Sequence, residues 1–439
     1  MSPPFPIAMP SFASITQLSD RLITLVFLNR MAAGAIVLKL IGAVVSFLII
    51  FVIARLSGAT ITGEYSLATA TATTVSLFAM MGLDQIVTRW IGGDLRQGRP
   101  DLARASLMAT IRLILPVSFV LALGVAAASP YVILIDGSPG SIVAVAPAII
   151  CSPMVRIAVV SLRSSGSIFW SQFFDSSHNF LILSGIALLF LGEASLFNAT
   201  VFAGLYAGAM LLTAIWAWLV LLNRIKAWPR GAVFEGRLLR DSWPLLVGGI
   251  SQAGAGWLIL AIIGASLDAS EVGAYRVANQ VVTIIALVMT TIESLVGPDL
   301  AGDFRIGDIK GAWRRHRQAS ALMLLCAAAP VFLCIFFSSA VLHIFGSEFV
   351  IASGALIILA GGQLINVATG PIGAVMVMSG HQRLSLILSV MGSIGAITLS
   401  ALLVEPLGLT GAALGLAGTT IFRNVGAFII MRRKLRVAA

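Results

Sequence analysis

Stretches of about 20 apolar residues follow one another along almost the whole chain, with short loops between them. A helix needs about 20 predominantly apolar residues to cross the hydrocarbon core of a bilayer. The sequence therefore predicts twelve transmembrane helices, of which the fifth is the most polar. The predicted spans are 33–54, 61–83, 103–128, 141–162, 167–191, 196–222, 241–264, 271–297, 314–338, 350–376, 381–404 and 409–431.

The composition indicates a membrane protein and argues against nucleic-acid binding. Hydrophobic residues make up 59% of the chain and charged residues 10%, whereas soluble domains carry about 25% charged residues. The net charge of +10 comes from Lys and Arg residues in short loops rather than from the surface of a soluble domain. Because no loop is long enough to fold independently, the function is expected to lie between the helices.

The loop charges alternate along the chain and predict its orientation. Loops on one side hold most of the bases: Arg89, Arg96, Arg99, Arg104, Arg163, Arg224, Lys226, Arg230, Arg237, Arg240, Arg305, Lys310, Arg314, Arg315, Arg317, Arg383, Arg432, Arg433, Lys434 and Arg436. The opposite loops hold mainly acids: Asp136, Glu193, Asp268, Glu271, Glu348 and Glu405, with Arg55 as the exception. Basic loops stay in the cytoplasm, so both termini are predicted to be cytoplasmic.

These features divide the chain into five predicted parts. They are an N-terminal interfacial segment at 1–32, a first six-helix bundle at 33–223, a cytoplasmic linker at 224–240, a second six-helix bundle at 241–431 and a basic cytoplasmic tail at 432–439. The interfacial segment has the apolar spacing of an amphipathic helix. The three cysteines lie in apolar runs without metal-ligand spacing, so no metal site is predicted.

The two bundles repeat one short charged phrase. The chain reads GDLRQG at 93–98 and GDFRIG at 302–307, 209 positions later. Each phrase follows an apolar run that begins with Gly-x-Tyr, at Gly63 in the first bundle and Gly273 in the second. The copies are six spans apart and share one orientation, which predicts a parallel duplication with a cavity between the halves. Both phrases are expected to form tight cytoplasmic turns.

The stretch 38–91 resembles the opening of a known transporter family. Its carrying features are Ala54-Arg55-Leu56-x-Gly58, then Gly63-x-Tyr65, then Gly82-Leu83-Asp84 before Arg89. They are similar to those of the polysaccharide flippases, the O-antigen and exopolysaccharide repeat-unit translocases of the multidrug/oligosaccharidyl-lipid/polysaccharide exporter superfamily. The twelve spans and the duplication extend the resemblance over nearly the whole chain.

The resemblance implies an all-α polytopic fold of two six-helix repeats around a central cavity, and a transporter rather than an enzyme. The implied substrate is an undecaprenyl-pyrophosphate-linked oligosaccharide, moved from the cytoplasmic to the periplasmic leaflet of the bacterial inner membrane by alternating access. The implied partners are this lipid-linked oligosaccharide, membrane lipids, a polysaccharide polymerase and glycosyltransferases. No cofactor is implied beyond coupling to an H⁺ or Na⁺ gradient.

Five bases lie at depth within predicted spans: Lys39, Arg112, Arg156, Arg276 and Arg423. A charge at the centre of a spanning helix costs about 2.5–3.5 kcal/mol and usually faces a watery interior. The bases are therefore expected to line one cationic cavity that receives the pyrophosphate. In the alternative interpretation each base pairs with an intramembrane acid or extends to an interface.

Two amides and four acids complete the candidate site. Gln280 lies on a polar stripe of the eighth span and Gln252 on the seventh, both as candidate sugar ligands. The intramembrane acids that are candidates for coupling to H⁺ or Na⁺, or for neutralising a nearby Arg, are Glu64, Asp84, Asp175 and Glu293.

Three rival functions remain at this stage. A multidrug/cation antiporter of the same superfamily would need an acidic, aromatic-lined cavity. A membrane-embedded polysaccharide polymerase or acyltransferase would need a catalytic constellation on a sizeable outer loop. A lipid-linked peptidoglycan precursor flippase is expected to have two further spans.

Overall fold

The computed structural model describes residues 30–130, 139–192, 196–232 and 238–437. Most of the predicted interfacial segment 1–32 and part of the predicted linker 224–240 lie outside these ranges. Within them, all regular secondary structure is helical, which confirms the all-α fold class.

The first half consists of six helices. They are α1 (Arg30–Met80), α2 (Leu83–Arg96), α3 (Pro100–Ala128), α4 (Pro139–Ser164), α5 (Ile168–Leu189) and α6 (Ala199–Ile225). α1 bends at Gly58, whose φ of 78° and ψ of −177° are open to glycine but not to other residues. Its two arms therefore correspond to the first and second predicted spans.

The second half contains eight helices and one short 3-10 helix. They are α7 (Leu238–Ser266), α8 (Ala269–Arg305), α9 (Ile309–Phe336), α10 (Ser338–His343), the 3-10 helix (Ser347–Ala352), α11 (Ser353–Ala368), α12 (Ile372–Met378), α13 (Gln382–Leu407) and α14 (Leu409–Val437). α8 begins at a capping box, in which the Asp268 backbone N–H donates to Glu271 Oε2 at 2.8 Å.

Ten helices of the described ranges are long and apolar enough to cross a membrane. Bent α1 contributes once to that number, and α5, which carries Asp175 and His178, is not included. Every predicted span except the second and the tenth coincides with a single helix or with the first arm of α1. The chain is thus a multi-pass membrane protein, while the twelve-span count stays a prediction.

Large apolar side chains on the outside of the bundle fit this assignment. Phe119, Val120 and Leu123 of α3 and Leu402 of α13 are more than half exposed. In water such exposure would favour aggregation, whereas hydrocarbon solvates these side chains well. The outer surface is therefore suited to lipid.

The two repeated phrases form the same turn. α2 ends at Arg96 and α8 at Arg305, and the last glycine of each phrase is left-handed, with φ of 70° at Gly98 and 79° at Gly307. In each turn the next backbone N–H donates to the carbonyl of the phrase's aspartate at 2.9 Å. The predicted tight turns are confirmed, and glycine is present because other residues are strained at positive φ.

The two Gly-x-Tyr glycines pack against each other where α1 crosses α8. A Cβ on Gly63 would overlap the carbonyl oxygen of Ala269, and a Cβ on Gly273 would overlap that of Ala59. Each glycine therefore faces the residue four positions before the other, as expected for two repeats related by a two-fold axis. Small residues allow this close backbone approach between membrane helices.

Two predicted spans are broken, which corrects their predicted continuity. The second span, placed at 61–83, ends at Met80 and is followed by a left-handed Met81–Gly82 pair before α2 begins. The tenth, placed at 350–376, is interrupted between α11 and α12, where Gly370 has φ of 64° and Pro371 has no N–H to donate. Such breaks occur where the backbone is covered by protein or lines a cavity.

Candidate functional site

A cavity of about 340 Å³ lies between the two halves. Its walls come from both arms of α1 and from α5 and α6 in the first half, and from α7, α8 and α14 in the second. The lining residues with polar side chains are Ser46, Tyr65, Ser66, Thr69, Thr73, Thr74, His178, Asn179, Tyr206, Trp257, Tyr275, Arg276 and Asn279. The predicted central cavity thus exists, and its lining is rich in hydroxyl, amide and aromatic groups.

Arg276 follows the Gly-x-Tyr motif of the second half, and its positive charge makes the site suited to anions. Among the described lining residues it is the only Lys, Arg, Asp or Glu. It is half-buried and close enough to the Tyr65 hydroxyl for the two to interact electrostatically. Because that partner is a neutral phenol, the guanidinium keeps its charge free for a ligand.

Hydrogen bonds between helices fix other parts of the cavity wall. The Trp257 Nε1–H donates to Thr71 Oγ1 at 2.8 Å, which connects α7 to α1. The Tyr206 hydroxyl lies near the side chains of Thr73 and Ser152. These interactions place aromatic rings from both halves at the cavity.

Three polar groups of residues that line the cavity have no protein partner within the described ranges. They are the buried Nδ1 atom of His178 and the buried hydroxyls of Ser66 and Tyr275. Buried polar atoms in folded proteins are nearly always hydrogen-bonded to protein, water or ligand. Each of these groups therefore needs a polar partner that the described part of the protein does not provide.

The five predicted bases do not share this cavity, which corrects the sequence-based expectation. Only Arg276 lines it; Lys39 is exposed on α1 and Arg112 is exposed on α3. Arg156 forms ion pairs with two acids of its own half, and Arg423 lies close enough to Glu293 for an electrostatic interaction. For these two arginines the physical reason is that a charge at depth is stabilised by a nearby opposite charge, which removes the need for a ligand.

Arg156 lies between two of the predicted coupling acids. Its Nε–H donates to Asp84 Oδ2 at 3.3 Å, and its Nη1 is 3.7 Å from Asp175 Oδ1. With both carboxylates ionised, the three groups carry a net negative charge. A pyrophosphate at Arg156 would thus meet two carboxylates, which makes this group unsuited to an anion.

Glu293 and Arg423 form the corresponding pair in the second half. Glu293 on α8 interacts electrostatically with Arg423 on α14 and accepts a hydrogen bond from the Ala374 backbone N–H in α12. Beside them, the Asn424 Nδ2–H donates to Asn366 Oδ1 at 2.6 Å. This polar group lies next to the break between α11 and α12 and holds α8, α11, α12 and α14 together.

The remaining predicted residues take different places. Gln280 is buried on α8 but does not line the cavity, whereas Asn279 beside it does. Glu64 is half-buried and already engaged by other groups. The side chain of Gln252 lies outside the described part of the structure.

Sequence reasoning missed several lining residues. Tyr65 and Tyr275 belong to the repeated Gly-x-Tyr motif, and the repetition itself was a signal for their shared place in the cavity. Tyr206 and Trp257 lie in apolar runs where one aromatic residue resembles ordinary packing. No sequence signal distinguished them.

An apolar groove of about 310 Å³ adjoins the cavity between α1, α7 and α13. Thr74 and Trp257 line both the groove and the cavity, so the two lie side by side. The apolar side chains of the groove are Val75, Phe78, Ile250, Leu258, Ile394 and Ile397.

A family model described as polysaccharide biosynthesis protein matches residues 31–297, which is more than half of the chain. The chain belongs to this family. The match covers nearly all of the first half together with α7 and most of α8 of the second half, including both Gly-x-Tyr motifs.

Solved structures show the same fold for this polysaccharide biosynthesis family member. An inward-facing multidrug resistance MATE family transporter of the MOP superfamily is similar with a TM-score of 0.69 and 14% identity, over 89% of this chain and 94% of that one. The lipid II flippase MurJ, in an inward closed conformation, is similar with a TM-score of 0.71 and 12% identity, over 91% and 90%.

A MOP superfamily transporter from Pyrococcus furiosus is similar with a TM-score of 0.62 and 15% identity, over 93% of this chain and 96% of that one. Its structure was described with a binding pocket of reverse polarity that suggests a different function. No curated protein matches the chain at a significant level. The fold of the MOP transporters is therefore shared, with low sequence identity to each.

Proposed function

We propose that this protein is an inner-membrane flippase that moves an undecaprenyl-pyrophosphate-linked oligosaccharide from the cytoplasmic to the periplasmic leaflet. The observation that carries the proposal is a polar cavity lined by one guanidinium, with an apolar groove directly beside it. A substrate with an anionic, hydroxyl-rich head and an apolar chain fits both environments at once. Membership of the polysaccharide biosynthesis family supports a saccharide as that head.

The head group is recognised by the cavity. Arg276 donates two parallel hydrogen bonds to pyrophosphate oxygens, a geometry that guanidinium groups favour. The Tyr275 hydroxyl and His178 Nδ1, which lack protein partners in the described ranges, bond to sugar hydroxyls. Trp257 offers a flat ring against which a sugar ring packs.

The polyprenyl chain leaves through the apolar groove. Thr74 and Trp257 line both spaces, so opening of the Trp257–Thr71 hydrogen bond lets the chain pass between α1 and α7 while the head stays in the cavity. In this arrangement the head crosses the membrane in the cavity while the chain remains in lipid.

Transport proceeds by alternating access of the two halves. α1 and α8 are in close backbone contact at Gly63 and Gly273, near the end of the bundle that the charge pattern assigns to the outside. Opening that contact while the opposite end closes exposes the cavity to the other leaflet. Asp84, Asp175 and Glu293 couple this movement to H⁺ or Na⁺ by binding the ion when their Arg partners move away.

A cation antiporter is the second candidate. It is favoured by the net negative charge of the Asp84–Arg156–Asp175 group and by the fold shared with MATE transporters. Against it, Arg276 faces the cavity and no described lining residue there is a carboxylate. An organic cation would therefore meet a like charge at the proposed site.

The test is a translocation assay in proteoliposomes. The purified full-length protein is reconstituted with undecaprenyl-diphosphate-linked saccharide, and lectin accessibility reports how fast the sugar reaches the opposite leaflet. The proposal expects transfer well above that of protein-free liposomes. Transfer no faster than in those liposomes, together with proton-driven export of an organic cation such as ethidium, would establish the antiporter instead.

A further inference from the structure

A second cavity lies at the periphery of the first half, away from the site between the halves. It has a volume of about 410 Å³ and separates α3 from the chain that follows α6. Its lining residues are Asp101, Arg104, Ala105, Met108, Ala109, Arg112, Pro229, Arg230, Gly231 and Ala232. Three arginines and one aspartate give this peripheral pocket a net positive charge.

One face of α3 forms a whole wall of the pocket. Asp101, Arg104, Met108 and Arg112 are spaced by three or four residues, so they follow one another along a single helical stripe. Arg104 is fixed in place, since its Nη1 donates to the carbonyl oxygens of Ile225 and Trp228, both at 3.0 Å. The wall and the chain opposite are therefore held together by the protein itself.

The other two arginines are free to take a ligand. Arg112 and Arg230 are exposed, and no carboxylate of the described ranges forms an ion pair with either. Two uncompensated guanidiniums facing one concave space repel each other. An anion between them relieves that repulsion, and phosphate oxygens match the fork of donors on arginine.

The same stripe of α3 continues from the pocket into a lipid-facing apolar surface. Leu115, Phe119 and Leu123 follow Arg112 at helical spacing and are 45%, 53% and 55% exposed. The pocket also lies at the end of the bundle that the charge pattern assigns to the cytoplasm. It therefore joins a phosphate-binding group to a surface suited to acyl chains, at the level of the lipid headgroups.

We propose that this pocket binds an anionic phospholipid of the cytoplasmic leaflet. Arg112 and Arg230 hold the phosphodiester, Asp101 accepts a hydrogen bond from a headgroup hydroxyl, and the acyl chains lie along Leu115 and Phe119. Basic pockets between membrane helices on the cytoplasmic side are suited to such headgroups. The proposal gives Arg112 a ligand outside the central cavity, where sequence reasoning had placed it.

The test measures lipid binding to the full-length protein. Wild-type protein is titrated with phosphatidylglycerol, phosphatidylethanolamine or inorganic phosphate in neutral detergent, and bound lipid is counted by native mass spectrometry. The Arg112→Ala/Arg230→Ala double variant is compared with Arg314→Ala, an exposed arginine near the start of α9. Thermal unfolding of each variant verifies that the fold is retained.

The double variant is expected to bind phosphatidylglycerol roughly thirtyfold more weakly, since each of the two basic residues near the headgroups contributes about 1 kcal/mol. Arg314→Ala should bind as wild type, and Arg112→Lys/Arg230→Lys should keep part of the affinity. Equal binding of phosphatidylethanolamine would overturn the preference for anionic lipid. Displacement of the lipid by millimolar phosphate would instead make the pocket a phosphate site, and unchanged binding by the double variant would remove the site altogether.

Discussion

The two Gly-x-Tyr segments occupy equivalent places in the two halves but carry opposite charges. The first reads Gly-Glu-Tyr-Ser at 63–66 and the second Gly-Ala-Tyr-Arg at 273–276. Their glycines pack on each other's helix, and both tyrosines and the residues after them line the cavity. The backbone function of the repeat has thus been kept while the side chain that faces the ligand has changed.

This difference teaches how a symmetric scaffold forms an asymmetric site. Ser66 and Arg276 are repeat equivalents, yet only Arg276 brings a full charge to the cavity wall. A head group held there meets a guanidinium on one side and hydroxyls on the other. An amphiphile with a compact anionic part and a sugar part therefore has one preferred orientation.

A second pair of equivalent positions shows the same divergence. Asp84 and Glu293 are 209 positions apart, like the two charged phrases, and each interacts electrostatically with an arginine of its own half. Asp84 shares Arg156 with Asp175, whereas Glu293 has Arg423 together with a backbone N–H. The first group is net negative and half open, and the second is neutral and more enclosed.

The largest effect is expected from removing the charge that distinguishes the two segments. Arg276→Ala should slow translocation of the lipid-linked saccharide roughly ten- to hundredfold, because a hydrogen bond to a charged group contributes about 1.5–3 kcal/mol. The proteoliposome assay measures this. Ser66→Ala, at the equivalent position, should slow translocation far less.

Arg276→Lys serves as the control for charge alone. It retains the positive charge without the planar fork and should fall between wild type and Arg276→Ala. If Ser66→Ala and Arg276→Ala proved equally active, the electrostatic difference between the two segments would have no functional meaning.

The next largest effect concerns the glycine that both Gly-x-Tyr segments share. Gly273→Ala should destabilise the protein by about 1–3 kcal/mol, because the added methyl overlaps the Ala59 carbonyl at the crossing of α1 and α8. Gly63→Ala should cost a similar amount, since the contact is reciprocal. Thermal unfolding in detergent measures both.

Gly302→Ala is the matched control on α8. Its Cβ would meet no atom within 4 Å, so the substitution should be neutral or slightly stabilising in a helix. A Gly273→Ala protein as stable as Gly302→Ala would contradict the close packing of the two repeats.

The smallest expected effect is the difference in stability that is lost when the arginine of each acid–arginine group is removed. Arg423→Ala should destabilise the fold by about 1–3 kcal/mol, because it leaves Glu293 half-buried beside α12 without its counter-charge. Arg156→Ala should cost only about 0.2–1 kcal/mol, since the Arg156 side chain is 51% exposed. Thermal unfolding of the two variants in one detergent gives the comparison.

Neutralising Glu293 tests whether the stability lost in Arg423→Ala comes from the carboxylate that is left without a counter-charge. Glu293→Gln in the Arg423→Ala background should recover part of the lost stability, because the carboxylate no longer needs a counter-charge. Equal losses for Arg156→Ala and Arg423→Ala, with no recovery, would mean that the two groups are equally enclosed.

Much of the fold was predictable because the length of apolar runs, the charge of loops and the repetition of motifs can be read from short segments of the sequence. The twelve apolar runs located the helices, and the charged phrases located two turns that the structure confirms. The break at Gly370 was not predictable, since glycine is also tolerated within continuous membrane helices. Whether a glycine breaks a span depends on tertiary contacts that no short segment encodes.

The site was predictable only in part because ion pairing is a long-range property. Arg276 was found because a base at depth within a predicted span indicates a polar environment, and it lines the cavity. Arg156 was misplaced because its partner Asp84 is 72 positions away and belongs to another helix. A charged residue in the middle of a predicted span indicates a polar environment. The sequence alone does not show whether the partner of that charge is a ligand or a neighbouring carboxylate.

The most direct measurement compares binding of undecaprenyl-diphosphate saccharide with that of an undecaprenyl saccharide lacking the diphosphate, in wild type and in Arg276→Ala. The account predicts that the wild type binds the diphosphate form roughly tenfold or more tightly, and that this preference disappears in Arg276→Ala. The same preference in both proteins, or none in the wild type, would contradict the claim that Arg276 receives the diphosphate.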